Sequence, residues 1–206
     1  MSEPLFYMQD SRTNCGSNAM FWGAKGGYAT NLDALEVFTL EDAQRQHNAR
    51  ESDVPLLKSA VDALSIAAVD FQYLPDAVAL VWHDGEYVIQ KKGLFNGNDI
   101  AFIRMGGHTF NYAEAQVFSQ GDVVKLHKDL GGIDVLEKSA VDNVARRTFQ
   151  VENINKRKMI SGAGIKFHKP KRVRPTTGKT RGNCLCCGKI VWSYNPYEAP
   201  YCAECR

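Results

Sequence analysis

Lys58-Ser-Ala-Val-Asp62 returns, residue for residue, as Lys138-Ser-Ala-Val-Asp142, 80 positions later. Working outward, the same shift lays Tyr7 on Tyr87, Asn18 on Asn98, Gly26-Gly27 on Gly106-Gly107 and Asn31 on Asn111. It also lays Val37-Phe38 on Val117-Phe118, Asp42 on Asp122 and Leu56 on Leu136. A register kept over this length marks an internal duplication, and no gap is expected in it. Four segments follow: a first module over residues 1–75, a second over 76–151, a basic flexible linker over 152–181, and a cysteine-rich end over 182–206. Residues 5–74 and 85–151 are expected to superpose with equivalent positions 80 apart, Val37-Phe38 and Val117-Phe118 in matching buried sites.

Within the first repeat, Leu5 to Gln9 reads as a strand, Asp10 to Ser17 as turn-rich, and Asn18 to Gly23 as a second strand. Gly26-Gly27 supplies a tight turn. Thr39-Leu-Glu-Asp42 is a helix start, with the Thr39 hydroxyl as cap and acidic residues in the first turn, running to about Ala49. Ser119 and Asp122 hold the same places in the second repeat. A second helix is expected after Pro55, over Lys58 to Leu64, and a closing strand over Ile66 to Phe71. Tyr73 to Asp84 joins the repeats, with a further strand suggested over Ala77 to Trp82. The fold class is α+β, built from two tandem small modules. Duplication also predicts a groove between the modules, without naming its ligand.

Phe6-Tyr-Met-Gln-Asp-Ser-Arg12, Phe21-Trp22-Gly23, the Gly-Gly-Tyr28-Ala-Thr turn and Leu32 to Ala43 together resemble a small module found in uncharacterised accessory proteins of bacteriophages and their bacterial hosts. Arg50 to Pro55 and Val69 to Gln72 fit it too, so the resemblance covers about residues 5–74. The second repeat is a degenerate copy lacking the Gln-Asp-Ser-Arg start. The resemblance implies a phage or prophage context and supplies no catalytic residues.

Charge is unevenly spread. Residues 1–150 hold 13 Lys and Arg against 20 Asp and Glu, a net of −7; residues 151–181 hold 10 against 1, a net of +9. An acidic body carrying a basic strap points to a polyanionic or acidic partner. The candidate phosphate-binding residues are Lys156, Arg157, Lys158, Lys166, Lys169, Lys171, Arg172, Arg174, Lys179 and Arg181, spaced among Gly and Pro as in an extended segment. Met1-Ser-Glu-Pro4 lacks a secretory n-region, and no run reaches the ~18 apolar residues of a membrane span. A cytoplasmic protein is expected, in the host cytoplasm if phage-encoded, with no membrane partner.

Five of the six cysteines fall in the last 23 residues. Cys184-Leu-Cys-Cys187-Gly188 and Cys202-Ala-Glu-Cys205 are two C-x-x-C pairs, each able to turn back on one cation. Four thiolates at Cys184, Cys187, Cys202 and Cys205 suit one structural, tetrahedral Zn²⁺, with Cys186 as the spare. Lys189 to Tyr194 reads as a strand between the pairs. The arrangement resembles a zinc ribbon over residues 182–206, although the strand usual after the second knuckle has no counterpart before Arg206.

Two enzyme signals fail. Thr177-Gly-Lys-Thr180 echoes a P-loop, but the glycine that motif needs five positions before Gly178 is replaced by Val173. Cys15 with His83 or His108 as base would be a lone cysteine in a turn-rich stretch. The expectation is a non-enzymatic protein binding nucleic acid or the transcription machinery through the basic segment and zinc ribbon. Its alternatives are an inhibitor or adaptor gripping a host protein through the acidic modules, and an enzyme with a site between the repeats.

Overall fold

Gly16 takes φ 61° while Ser17, like every non-glycine residue described, keeps a negative φ. A glycine of this kind at the first turn position gives a two-residue type II′ hairpin, whose twist matches that of its strands. It folds strand β1 (Phe6–Cys15) directly onto β2 (Asn18–Trp22). The segment expected as turn-rich after Gln9 is therefore strand up to Cys15, with a register irregularity between Gln9 and Asn14. Then follow β3 (Tyr28–Ala29), helix α1 (Leu40–Ala49), β4 (Asp53–Leu57), α2 (Lys58–Ala63) and β5 (Ile66–Ala68). The Thr39 hydroxyl accepts from the Asp42 N–H, capping α1. The order of the first sheet is β3-β2-β1-β4, all antiparallel. Strand β4 was not expected, because Pro55 lies in it. It is tolerated at this edge: backbone bonds join Lys58 to Leu5 and Ser11 to Ser52. By the alternation of antiparallel pairs, the Pro55 nitrogen then faces away from β1.

The second module repeats this order: β6 (Glu86–Asn96), β7 (Asp99–Arg104), β8 (Gly107–Thr109), β9 (Phe118–Ser119), α3 (Gln120–Asp129), β10 (Ile133–Glu137), α4 (Lys138–Val144) and β11 (Arg146–Thr148). Its sheet runs β8-β7-β6-β10, with β9 also on β6. Ser119 caps α3 as Thr39 caps α1. The repeated Lys-Ser-Ala-Val-Asp run does the same work twice. Val61 and Val141 are fully buried, and Lys58–Asp62 and Lys138–Asp142 pair one helical turn apart at 2.5 and 2.7 Å. The computed structural model describes residues 3–74, 84–129, 133–167, 178–195 and 201–206. The suggested strand over Ala77 to Trp82 lies outside them; the described residues form an α+β fold.

The register is not uniformly 80. Tyr7 faces Leu56 where Val88 faces Leu136; Gln9 faces Phe21 where Gln90 faces Phe102; Phe6 bridges Phe38 where Tyr87 pairs with Phe118. Strands β1 and β2 are thus offset from β6 and β7 by 81. The difference is absorbed at the next turn, where seven residues separate Phe21 from Ala29 and six separate Phe102 from Thr109. The structural partner of Tyr7 is Val88, not Tyr87, and that of Asn18 is Asp99, not Asn98. An error of one would exchange the two faces of a strand. Val37 and Val117, expected to be buried, are instead 43% and 44% exposed, and Phe38 and Phe118 are half-buried.

The modules are not independent. Strands β5 and β11 pair with each other, Ala67 opposite Arg147. Beyond each, the chain crosses to the other module. Ala19 donates to the Phe149 carbonyl at 2.9 Å and Ile100 to the Val69 carbonyl at 3.0 Å. Val151 donates to the Ser17 carbonyl and Phe71 to the Asn98 carbonyl. Val69 is buried among Val88, Ile100, Phe102 and Val141, while Phe149 is buried among Tyr7, Phe21, Leu56 and Val61. Residues 1–167 accordingly form one compact unit and residues 168–206 another.

Residues 152–167, expected to be flexible linker, are ordered. Helix α5 (Lys156–Met159) is capped by Asn155, and Met159, Ile160 and Ile165 are buried in the first module's core. Apolar side chains at these three positions override the basic composition around them.

Because Phe149 fills the first module's core, Phe149→Ala should cost about 3–5 kcal/mol. Urea unfolding followed by circular dichroism should still show one transition for residues 1–167, moved to lower urea. Two transitions with only the second displaced would contradict the exchange.

Candidate functional site

The unit of residues 168–206 is built on a hairpin of β12 (Thr180–Asn183) and β13 (Ile190–Ser193), with Arg181 opposite Trp192 and Asn183 opposite Ile190. The strand expected near Lys189 to Tyr194 is β13; β12 begins at Thr180 and Arg181, the last two residues of the expected flexible linker. Between the strands the chain makes a knuckle. Cys184 donates its N–H to the Lys189 carbonyl at 2.8 Å, and Gly188 donates back to the Cys184 carbonyl at 2.9 Å. Gly188 takes φ 75°, which a side chain would oppose. A second turn is closed by Cys205 N–H to the Cys202 carbonyl at 3.0 Å.

These two turns bring the sulfurs of Cys184, Cys187, Cys202 and Cys205 within 4.8 Å of one another. The Cys187 and Cys202 sulfurs are 3.5 Å apart, and the Cys202 N–H points at the Cys184 sulfur from 3.4 Å. Backbone N–H groups, those of Cys187 and Cys202 foremost, hold the Cys184 thiol down to about 6. The neighbouring thiols, Cys202 first, push Cys205 upward. Sulfurs this crowded cannot all become thiolates unless a cation sits among them. The four could hold one metal ion, and Cys184 is buried as such a ligand would be. Lys189 and Glu204 pair across the two turns. Cys186 is exposed and stands outside the group of four.

The basic residues divide between the two units. Lys156, Arg157 and Lys158 are exposed on α5. Lys166 is exposed too, its backbone fixed by Gln44, whose side-chain oxygen accepts from the Lys166 N–H at 2.7 Å. Lys179 and Arg181 are exposed on the hairpin side of the chain. Lys169, Lys171, Arg172 and Arg174 lie outside the described residues. Sequence reasoning passed over Trp192 and Tyr194, which are 60% and 72% exposed. The signal available was a large side chain at every second position, Ile190, Trp192 and Tyr194.

Where the modules meet there is a cleft of about 590 Å³, lined in part by Cys15, Tyr28, Asp70, Asn98 and Arg146. Beside it Arg146 is bonded to Asp99 at 2.7 Å and lies 3.5 Å from Asp70, with all three side chains 8% exposed or less. Asn18 donates to Asp99 at 2.7 Å and accepts from Gln150 at 2.7 Å. Every carboxylate here is engaged by a structural partner. His108 is exposed on β8 and does not line the cleft with Cys15; His83 lies outside the described residues. Gly178 to Thr180 leads into a strand, whereas a P-loop opens a helix.

No protein-family model, no curated protein and no solved structure matches the chain.

Two outcomes follow. Cys187→Ser or Cys202→Ser should abolish stoichiometric metal, read by elemental analysis of reduced, metal-replete protein, whereas Cys186→Ser should retain it. Arg146→Leu should destabilise residues 1–167 by about 3–5 kcal/mol in denaturant unfolding, since it leaves two buried carboxylates without their cation. Adding Asp99→Asn should recover part of that loss.

Proposed function

We propose that the chain is a non-enzymatic accessory protein that binds nucleic acid, alone or within a transcription assembly, through its basic segment and a zinc ribbon. One observation carries this reading: ten Lys and Arg and no acidic residue over 156–181, leading directly into the four-thiol group. Zinc is the metal the donor set suits best, since four thiolates satisfy its tetrahedral preference at about 2.3 Å. With all four positions taken by protein there is none for a reacting water, so the metal holds the fold and performs no chemistry. The resemblance to a phage accessory module supports a host-cell setting for the same activity.

Contacts from such a segment are mainly to phosphate. Lys and Arg side chains seek phosphate oxygens, which every sequence offers alike. The net −7 of residues 1–150 repels the same ligand, so the body limits non-specific affinity.

With about five to eight phosphates neutralised on duplex DNA, log K against log salt should have a slope of roughly −4 to −7. Replacing Lys169, Lys171, Arg172 and Arg174 with Gln should flatten it by about 3 to 4. A titration by fluorescence anisotropy checks both. Equally poor binding of DNA and RNA by the parent and the Gln variant at low salt would reduce the strap to a linker. A host protein gripped by the acidic modules would then lead.

A further inference from the structure

Side chains of β12 and β13 alternate between two faces, and one of these faces is fully exposed. On it, three cross-strand pairs stand in a row: Asn183 with Ile190, Arg181 with Trp192, and Lys179 with Tyr194, which continue the same register just past the paired residues. The last pair is in contact, with the Lys179 ammonium 5.0 Å from the centre of the Tyr194 ring. Ile190, Trp192 and Tyr194 are 54%, 60% and 72% exposed, and Lys179, Arg181 and Asn183 are exposed opposite them. On the other face Gly182, Val191 and Ser193 are half-buried, and Thr180 is exposed at its end. Two aromatic rings are thus held open to solvent on a hairpin whose end is fixed by the four-thiol group, each with a cation across the ladder.

We propose that this face is a stacking platform for unpaired bases of single-stranded nucleic acid, a deepening that rests on the nucleic-acid reading above. Three points favour that occupant. The cations beside each ring match a phosphate backbone running along the hairpin, and would be a burden at an apolar protein interface. Every base offers a π-face, so rings without a hydrogen-bonding frame suit a sequence-tolerant binder, as the phosphate-seeking segment already requires. Residues two apart on a strand are about 7 Å apart. That is roughly twice the ~3.4 Å step of stacked bases, so the spacing from Trp192 to Tyr194 admits one base between the rings. In a duplex the base faces are already covered by their neighbours. The platform therefore selects single strands, whereas the basic segment by itself does not.

The test uses the full-length, zinc-loaded protein with a 12-nucleotide oligothymidine and a 12-base-pair duplex at low salt. Single-strand affinity should exceed duplex affinity, and binding should quench tryptophan emission. Trp192→Ala and Tyr194→Ala should each weaken oligothymidine binding by about 5- to 100-fold, with duplex affinity changed less than twofold. Trp192→Phe should keep most of the affinity but lose the quenching, which assigns the signal to this ring. Metal content of one per chain in each variant confirms that the ribbon is still folded. If both alanine variants bind oligothymidine like the parent while the salt-dependent duplex binding persists, the platform is wrong and the phosphate reading stands. If the parent binds neither ligand, both fall. Sedimentation showing a dimer that Trp192→Ala dissolves would assign the face to self-association and overturn the platform.

Discussion

Val69 and Phe149 each complete the core of the module that the other belongs to. That exchange is what the rest of residues 1–167 depends on. It fixes the β5–β11 pair between the modules, where Ala67 faces Arg147 and the two strands run antiparallel. It also aligns the two hairpin tips, so that a Cβ built on Gly16 would lie 2.4 Å from the Gly97 nitrogen, and one on Gly97 2.7 Å from the Gly16 nitrogen. Nothing larger than glycine fits at either tip.

The two halves are not chemically alike at this junction. Asn18, Gln150 and Ile66 on one side correspond to Asp99, Asp70 and Arg146 on the other. The difference has a physical basis, because positions 18 and 99 touch. Two carboxylates in contact would repel, whereas an amide at position 18 donates to the carboxylate at 99. The remaining charge is balanced by Arg146 in place of an aliphatic side chain. A similar trade occurs near the repeated Asp62 and Asp142. Tyr7 reaches Asp62 from β1, while Tyr112 reaches Asp142 from the loop before β9. Tyr7 with Leu32 in one module becomes Val88 with Tyr112 in the other, which preserves both bulk and hydroxyl.

Much of this was legible in the residues. Caps at Thr39 and Ser119, the Lys-Ser-Ala-Val-Asp helices and the double C-x-x-C all announce themselves through local chemistry. The 81-residue offset did not, because it is confined to the strands before Gly26-Gly27, and chance identities such as Tyr7 with Tyr87 disguised it. Buried Met159, Ile160 and Ile165 were hidden by the lysines and glycines around them. Strand β12 offers only Thr-Arg-Gly-Asn, with no apolar residue to betray it; its pairing comes from the cysteine turn that follows. The exchange itself is a long-range fact, for which no short stretch of sequence carries a sign.

That exchange also sets an order of events during synthesis. When residues 1–74 have left the ribosome, every strand of the first sheet is present, yet the Phe149 site in its core is empty and Val69 has no module to enter. The first half must wait, with part of an apolar sheet face uncovered, until some 75 further residues have been made. In this protein the N-terminal module is therefore finished last, by the chain that follows the second, and the interval between is when it is most open to association with other chains.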